Sequence, residues 1–343
     1  MAEGITLCYN KSMKILVIGG AGYIGSHVVN DFLEQGHEII VFDNLSSGLR
    51  ENLFPKAEFV HGTILDYQSL LEVCRGSSGS AAFDAVVHLA AFKAAGESML
   101  KPEKYSFNNI CGTINILNAM AASGIKYIVF SSSAAVYGEP QYLPIDEKHP
   151  CNPENYYGFT KLEIERIMGW YNKLKGICYA SLRYFNAAGY DIKGRVRGLE
   201  LNPANLIPII MEAAAGIRKD VKIYGDDYDT PDGTCIRDYI HINDLARGHV
   251  CALEYIVKKN ECITVNLGSE KGISVKEIIE ASRKITGKPI PSGIAERRPG
   301  DPATLTASSK LAKELLGWEA KYSDADSLIG STWEIYKGIK HEG

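Results

Sequence analysis

Three observations predict an α/β fold, a doubly wound Rossmann-type parallel sheet with a smaller C-terminal lobe: near-continuous apolar strands, helical stretches between them, and a glycine-rich turn directly after the first strand. The strand-like runs are Lys14–Ile18, Glu38–Phe42, Glu58–Val60, Ala85–Leu89, Tyr127–Phe130 and Cys178–Arg183. They are near-continuously apolar instead of alternating, which marks a sheet covered by helices on both faces. After about residue 186 the pattern changes, with Pro, Gly and Asn punctuating 200–235 and the elements shortening. The expected partition is an extension without periodicity over 1–13, a first domain over 14–186 and a lobe occupying most of 187–343. Residues 238–257 are expected to return to the first domain, as a strand over Asp238–Ile242 and a helix over Asn243–Val257 that Asn243 or Asp244 is placed to cap.

Composition removes several classes of function. With 343 residues, 45% hydrophobic and 23% charged, the chain is neither disordered nor fibrous. No apolar run approaches the roughly 18 to 20 residues that cross a bilayer, and Met1–Met13 has no hydrophobic signal core. A cytoplasmic protein without a membrane partner is expected. Eight cysteines, at 8, 74, 111, 151, 178, 235, 251 and 262, contain no CxxC pair, so neither a disulfide framework nor a metal knuckle is indicated. A formal charge of −4, with both signs interspersed, leaves no basic stripe for nucleic acid.

The first turn carries the first chemistry. In Ile15–Ser26 the glycines fit G-x-G-x-x-G from Gly20 and G-x-x-G-x-x-G from Gly19, through Gly22 to Gly25. Either register allows a tight turn whose backbone N–H groups meet a pyrophosphate on the positive end of the following helix. Asp43 stands 18 residues after Gly25, at the end of the second strand. A carboxylate there accepts the ribose hydroxyls and repels a 2′-phosphate, so NAD is expected rather than NADP.

Tyr157 and Lys161 lie four apart, on one face of a helix, beyond a fifth strand that ends in Ser131-Ser132-Ser133. A free tyrosine, at about 10, is a poor base at neutral pH, and moving it to about 7 takes roughly 4 kcal/mol. Lys161 and a positive nicotinamide ring are expected to supply this, with Ser133 hydrogen-bonding the reacting oxygen.

With these residues in place, the chain resembles the extended short-chain dehydrogenase/reductase family and, within it, the UDP-galactose/UDP-glucose 4-epimerase family. The likeness rests on Gly19–His27, Asp43–Leu45, His88–Ser98, Ser131–Gly138, Arg183–Gly189 and Asp232–His241, and runs from about Lys14 to the last helix. It implies Tyr23 and Ile24 on the cofactor pyrophosphate and Asp43, Asn44 and Ser47 at the adenosine ribose. It also implies Ile64 against the adenine, and Leu89, Ala90, Ala91, Lys93, Asn108 and Phe185 on the nicotinamide side. Thr63 stands where the family carries an aspartate for the adenine amino group.

On the substrate side the likeness implies Lys93, Ser133, Tyr157, Asn186, Asn205, Leu206, Tyr224, Arg237, Tyr239, Arg298 and Asp301 around a UDP-sugar, arginine suiting diphosphate because its planar fork donates two parallel hydrogen bonds. A one-residue gap after Asp301 places Thr304 where some members carry a bulky aromatic beside the sugar C2 substituent, which implies tolerance of N-acetyl groups.

The implied reaction is epimerisation at C4 of a UDP-hexose through a transient 4-keto sugar. NAD would be tightly bound and restored in each turnover, and the enzyme a homodimer paired through helices of the first lobe. The same catalytic set serves UDP-N-acetylhexosamine or UDP-pentose epimerases. A nucleotide-sugar 4,6-dehydratase is disfavoured, because Ala134 and Ala135 follow Ser133 where those enzymes carry an acidic pair. An NAD-sensing protein without chemistry has no need of Tyr157, Lys161 and Ser133 together.

Overall fold

Each apolar run forms a strand of one parallel sheet. The computed structural model describes residues 11–339 apart from 77, 78, 80, 201, 202, 299 and 300. The first six strands are β1 (Lys14–Ile18), β2 (Glu38–Asp43), β3 (Glu58–His61), β4 (Ala85–His88), β5 (Tyr127–Ser131) and β6 (Cys178–Tyr184). Shorter strands follow: β7 (Asn186–Ala188), β8 (Val221–Tyr224), β9 (Ile236–His241), β10 (Ile263–Leu267), β11 (Gly272–Ser274), β12 (Ser292–Ala295) and β13 (Thr304–Leu305). The helices in and beside the first lobe are α1 (Tyr23–Glu34), α2 (Tyr67–Arg75), α3 (Ala95–Leu100), α4 (Pro102–Tyr105), α5 (Gly112–Ser123) and α6 (Tyr156–Lys175). Later come α7 (Leu206–Ala214), α8 (Ile242–Lys259), α9 (Val275–Thr286), α10 (Lys310–Leu316) and α11 (Ala325–Tyr336).

The main sheet has the order β10-β6-β5-β4-β1-β2-β3. Strand order therefore reverses between β1 and β4, and the crevice outside their carboxyl ends is the place where such sheets bind ligands. One face is covered by α1 and α8, with Val28, Phe32, Leu245 and Val250 fully buried or nearly so. The other is covered by α2, α5 and α6 through Leu70, Ile116, Met120, Ile164 and Met168. Burying a side chain of this size contributes roughly 2 kcal/mol. A further core, with Ile207, Met211, Ile278 and Leu328, joins α7, α9 and α11 beyond the sheet.

Two expectations need correction. The strand over 238–242 does not enter the main sheet: β9 pairs instead with β7, β11 and β13. The free edge of β6 is taken by β10, in register from Ile263 on Ala180 to Leu267 on Tyr184. The return to the first lobe is thus made by α8, packed on α1, and by the apolar run Ile263–Leu267. Nor do Asn243 and Asp244 cap α8. His241 does so, its Nδ1 accepting the Asn243 N–H at 3.1 Å. Asn243 instead reaches Asp191, and the Asp244 carboxylate accepts from Tyr322 and Ser323. Of the extension over 1–13, residues 1–10 lie outside the described residues, while Met13 is buried in the core.

Candidate active site

At the end of β1 the chain must turn against the loop that follows β4. Gly19 has φ +85°, and a Cβ there would lie 2.6 Å from the Ala90 nitrogen. A Cβ on Gly25 would stand 2.1 Å from the Gly19 carbonyl oxygen. Glycine is therefore required for α1 to begin so close under the turn. At Gly22 an added Cβ would meet only the Gly19 oxygen, at 3.4 Å, so the outer side of the turn is clear. Gly22 is also the N-cap of α1, and no side chain caps that end. The Tyr23 hydroxyl points away, donating to the Gly189 carbonyl, so what Tyr23 and Ile24 present at the turn is helix-end backbone.

Asp43 closes β2 with its carboxylate aimed at this turn, accepting Ala21 N–H at 3.0 Å and Leu45 N–H at 2.8 Å. Asn44 accepts the Ser46 N–H, and Ser47 follows on the same exposed loop. Thr63 spends its hydroxyl on the Leu65 N–H, while Ile64 is buried against Gly112. A clear glycine cradle, an uncapped helix end and a carboxylate at the second strand match the chemistry of a dinucleotide, so these residues fit NAD.

Loop 89–93 is held by a residue that sequence reasoning passed over. Asn109 is fully buried and takes both Phe92 backbone groups, each at 3.0 Å, and also bonds Thr160 of α6. Asn108, singled out from sequence, donates to Asn109. Asn52 was likewise passed over: it donates to the Ala21 carbonyl at 3.1 Å and accepts the Gly198 N–H at 3.1 Å, tying the glycine turn to the second lobe. A lone polar residue in a turn carries no sequence signal for partners so distant. Lys93 reaches across to Glu200 of that lobe.

Tyr157, Lys161 and Ser133 converge. Asn155 caps α6 by accepting Gly158 N–H at 2.9 Å, and Ser98 of α3 accepts Tyr157 N–H at 3.0 Å. Gly158 lets α6 approach the turn after Ser133, where a Cβ would stand 2.3 Å from the Ala135 oxygen. Burial pushes the Tyr157 phenol up to about 12, against a hydrogen bond from Ser133 that favours ionisation. Burial also brings Lys161 down to about 7, opposed by the charge of Glu165. The Lys161 ammonium donates to the Ser131 carbonyl at 2.7 Å and lies 5.8 Å from the Tyr157 ring centroid. Phe185 packs beside this cluster, and Asn186, next in the chain, already lines the neighbouring cleft.

That cleft, of about 490 Å³, is lined by Asn186, Asn205, Leu206, Tyr224, Arg237, Tyr239, Arg298 and Asp301, which the fold gathers from five segments. Its size suits a small-molecule site. Arg298 lies over the Tyr224 ring with Cζ 3.9 Å from the centroid, a stacking that orients the guanidinium plane. Arg237 is 3.2 Å from the Asp301 carboxylate and donates to the Ile236 carbonyl at 2.9 Å. Two guanidinium groups from distant segments on one wall can hold a diphosphate. Of the motif Arg298–Asp301, residues 299 and 300 lie outside the described residues.

Thr304 opens β13 opposite Ile236, and its neighbour Leu305 is a second candidate for the place beside the sugar. The side chain that packs on the catalytic side, against the cluster containing Ala134, Leu162 and Phe185, is Leu305. Successive side chains of a strand point to opposite faces, so Thr304 turns away.

Comparison with known proteins gives the chain a family. Residues 15–268 match the NAD dependent epimerase/dehydratase family. The chain is 47% identical over 329 residues to a UDP-glucose 4-epimerase of Halalkalibacterium halodurans, covering 96% of this chain and 97% of that one. It is similar to the crystal structure of UDP-glucose 4-epimerase from Brucella ovis in complex with NAD, with a TM-score of 0.90, 42% identity, and 94% and 98% of the two chains covered. It is also similar to the Bifidobacterium longum enzyme in complex with NAD+ and UDP, with a TM-score of 0.85, 37% identity, and 94% and 97% covered.

Proposed function

The chain belongs to the NAD dependent epimerase/dehydratase family and, with NAD as cofactor, epimerises a UDP-hexose at C4; we propose that Tyr157 moves the proton in that reaction, with Lys161 and Ser133 as its partners. Bound NAD would supply the hydride acceptor and then the hydride donor for C4, and would end each turnover oxidised.

The observation that supports the proposal is a buried phenol one helical turn from the buried Lys161 ammonium and beside Ser133, with Phe185 and Asn186 leading on from this cluster to the arginine-walled cleft. Tyr157 removes the proton from the sugar 4-hydroxyl as C4 is oxidised, and returns it to the 4-keto oxygen when C4 is reduced from its other face. Ser133 holds that oxygen. Arg237 and Arg298 grip the diphosphate throughout, with Asn186, Asn205, Leu206, Tyr239 and Asp301 completing the nucleotide's surroundings. A strong hold on the part that does not react permits a weak hold on the sugar, which must present both faces to one cofactor.

The turn at Gly19, Gly22 and Gly25, with Asp43 at the ribose, retains NAD as a prosthetic group. Exposed Met99, Leu100, Phe107 and Phe159, on α3, on residues 106–111 and on α6, support a homodimer paired through the first lobe. Among the described residues no helix is long and apolar enough to cross a membrane. The described cysteines are all free, which supports a cytoplasmic location.

Supplying UDP-galactose without added NAD tests the reading. UDP-glucose should form with no net change in nicotinamide absorbance, and Tyr157→Phe should abolish it. Near-normal turnover by that variant would remove Tyr157 from the role.

A further inference from the structure

A buried ion pair joins Glu165, one turn beyond Lys161 on α6, to Arg183 of β6, and the resemblance gives neither residue a role. Glu165 and Arg183 are 8% and 7% exposed, and Arg183 grips the carboxylate with two parallel hydrogen bonds, Nε to Oε1 at 3.0 Å and NH2 to Oε2 at 2.6 Å. Its remaining nitrogen donates to the Tyr137 hydroxyl at 3.1 Å, which donates in turn to Asn266 Oδ1 at 2.7 Å. Asn266 belongs to β10 and donates to the Ile145 carbonyl at 3.0 Å. Ile145 pairs with Ala307, just beyond Leu305. The chain of bonds thus runs from the catalytic helix through β6 to the segment that closes the far side of the site.

Glu165 also meets β5. Ser132 donates to its Oε1 at 2.5 Å, and Ser132 itself is fully buried. Tyr157, Lys161 and Glu165 are therefore three residues a turn apart on one face of α6, engaging three consecutive residues at the end of β5: the Ser133 hydroxyl, the Ser131 carbonyl and the Ser132 hydroxyl. Two of the rungs carry the chemistry. The third has no reacting group within its reach, yet it is the one anchored by a bidentate arginine, whose geometry leaves little freedom of position.

Charge points the same way. The titratable groups around the Lys161 ammonium are Tyr157 and Glu165 on α6 and His88 on β4, with His249 of α8 bonded to the Ser131 hydroxyl and Tyr184 of β6 facing Tyr157. Burial brings His88 to about 3 and His249 to about 4, so both are neutral at working pH. Glu165 is left as the negative charge that favours the ammonium.

We propose that Glu165, clamped by Arg183 and Ser132, is a positioning residue for the reaction: it sets the register of α6 on β5 and keeps a carboxylate facing the Lys161 ammonium. This rests on the Tyr157–Lys161 reading above. The Glu165 carboxylate favours the charged form of Lys161, against burial. Without it Lys161 loses its proton at lower pH.

The test is the pH profile of kcat for Glu165→Gln, Glu165→Asp and Ser132→Ala, measured on NAD-loaded enzyme beside wild type and Tyr157→Phe. Glu165→Gln should lower kcat at neutral pH about tenfold and bring the alkaline limb down by about one unit. Glu165→Asp should leave the limb in place. A folded, NAD-retaining Glu165→Gln enzyme with the wild-type limb, or with full kcat, overturns the proposal. If Glu165→Gln does not fold, Ser132→Ala decides, since it leaves the ion pair intact: a severalfold lower kcat at unchanged KM supports the register role, and wild-type kcat refutes it. An active Tyr157→Phe enzyme would instead sink the underlying reading.

Discussion

Replacing Lys161 by methionine should move the pH dependence of catalysis, and the structure sets how far. Burial pushes the Tyr157 phenol up to about 12. Bringing such a group to neutral pH takes about 5 units, or about 7 kcal/mol. The Lys161 ammonium lies 5.8 Å from the phenol ring, and at an effective dielectric of about 20 one unit charge at that distance is worth about 3 kcal/mol, or about 2 units. The larger remainder falls to the positive ring of bound NAD, since the value of about 12 already includes the Ser133 hydrogen bond. Lys161→Met should therefore lower kcat at pH 7 by about 100-fold and carry the acid limb up by about 2 units, so that alkaline buffer recovers much of the loss. Lys161 itself, held near 7 by burial, loses its charge as pH rises through that value, so the wild-type profile should also fall on the alkaline side and the variant's should not. The assay is kcat for UDP-galactose to UDP-glucose from pH 5 to 10, with NAD retention checked at each end. A uniform drop with both limbs in place would show that Lys161 acts through geometry alone.

Three further outcomes are expected. His27, His88, His241 and His249 are buried, with values lowered to about 4, 3, 3 and 4. Each stabilises the fold above the unfolded value of about 6.5 and loses that contribution as pH falls, about 2 kcal/mol apiece by pH 5. Half-buried Asp31 and buried Asp244, raised by desolvation, act in the opposite sense from a lower range. Urea unfolding at pH 7 and pH 5 should differ by several kcal/mol, and equal midpoints would exclude the histidines as the cause. Gly25→Ala drives a Cβ to 2.1 Å from the Gly19 oxygen, so the variant should fold yet release its NAD on desalting; a full nicotinamide complement would refute this. Leu305→Tyr should reduce turnover of UDP-N-acetylgalactosamine relative to UDP-galactose by at least tenfold while Thr304→Tyr leaves the ratio near wild type, and the reverse result would restore Thr304 to the site.

What the sequence determined alone is local in origin. A glycine at φ +85°, a carboxylate closing the second strand, a phenol and an ammonium one helical turn apart and six apolar strands are each specified by residues within a few positions of one another. They were legible because backbone sterics and hydrophobic period act at that range. Tertiary structure decided what depends on partners far along the chain. Ile263–Leu267 became the seventh strand because β6 offered an open edge, and His241 displaced Asn243 as a cap because Asp191 had engaged the asparagine. Asn52 and Asn109 bind backbone groups that no spacing rule connects to them, and strand pairing sets Thr304 and Leu305 on opposite faces of β13. The Glu165–Arg183 clamp belongs to the same class. Its members are 18 residues apart on a helix and a strand, and their burial together is a property of packing, since a charge is tolerated there only where a partner arrives with it.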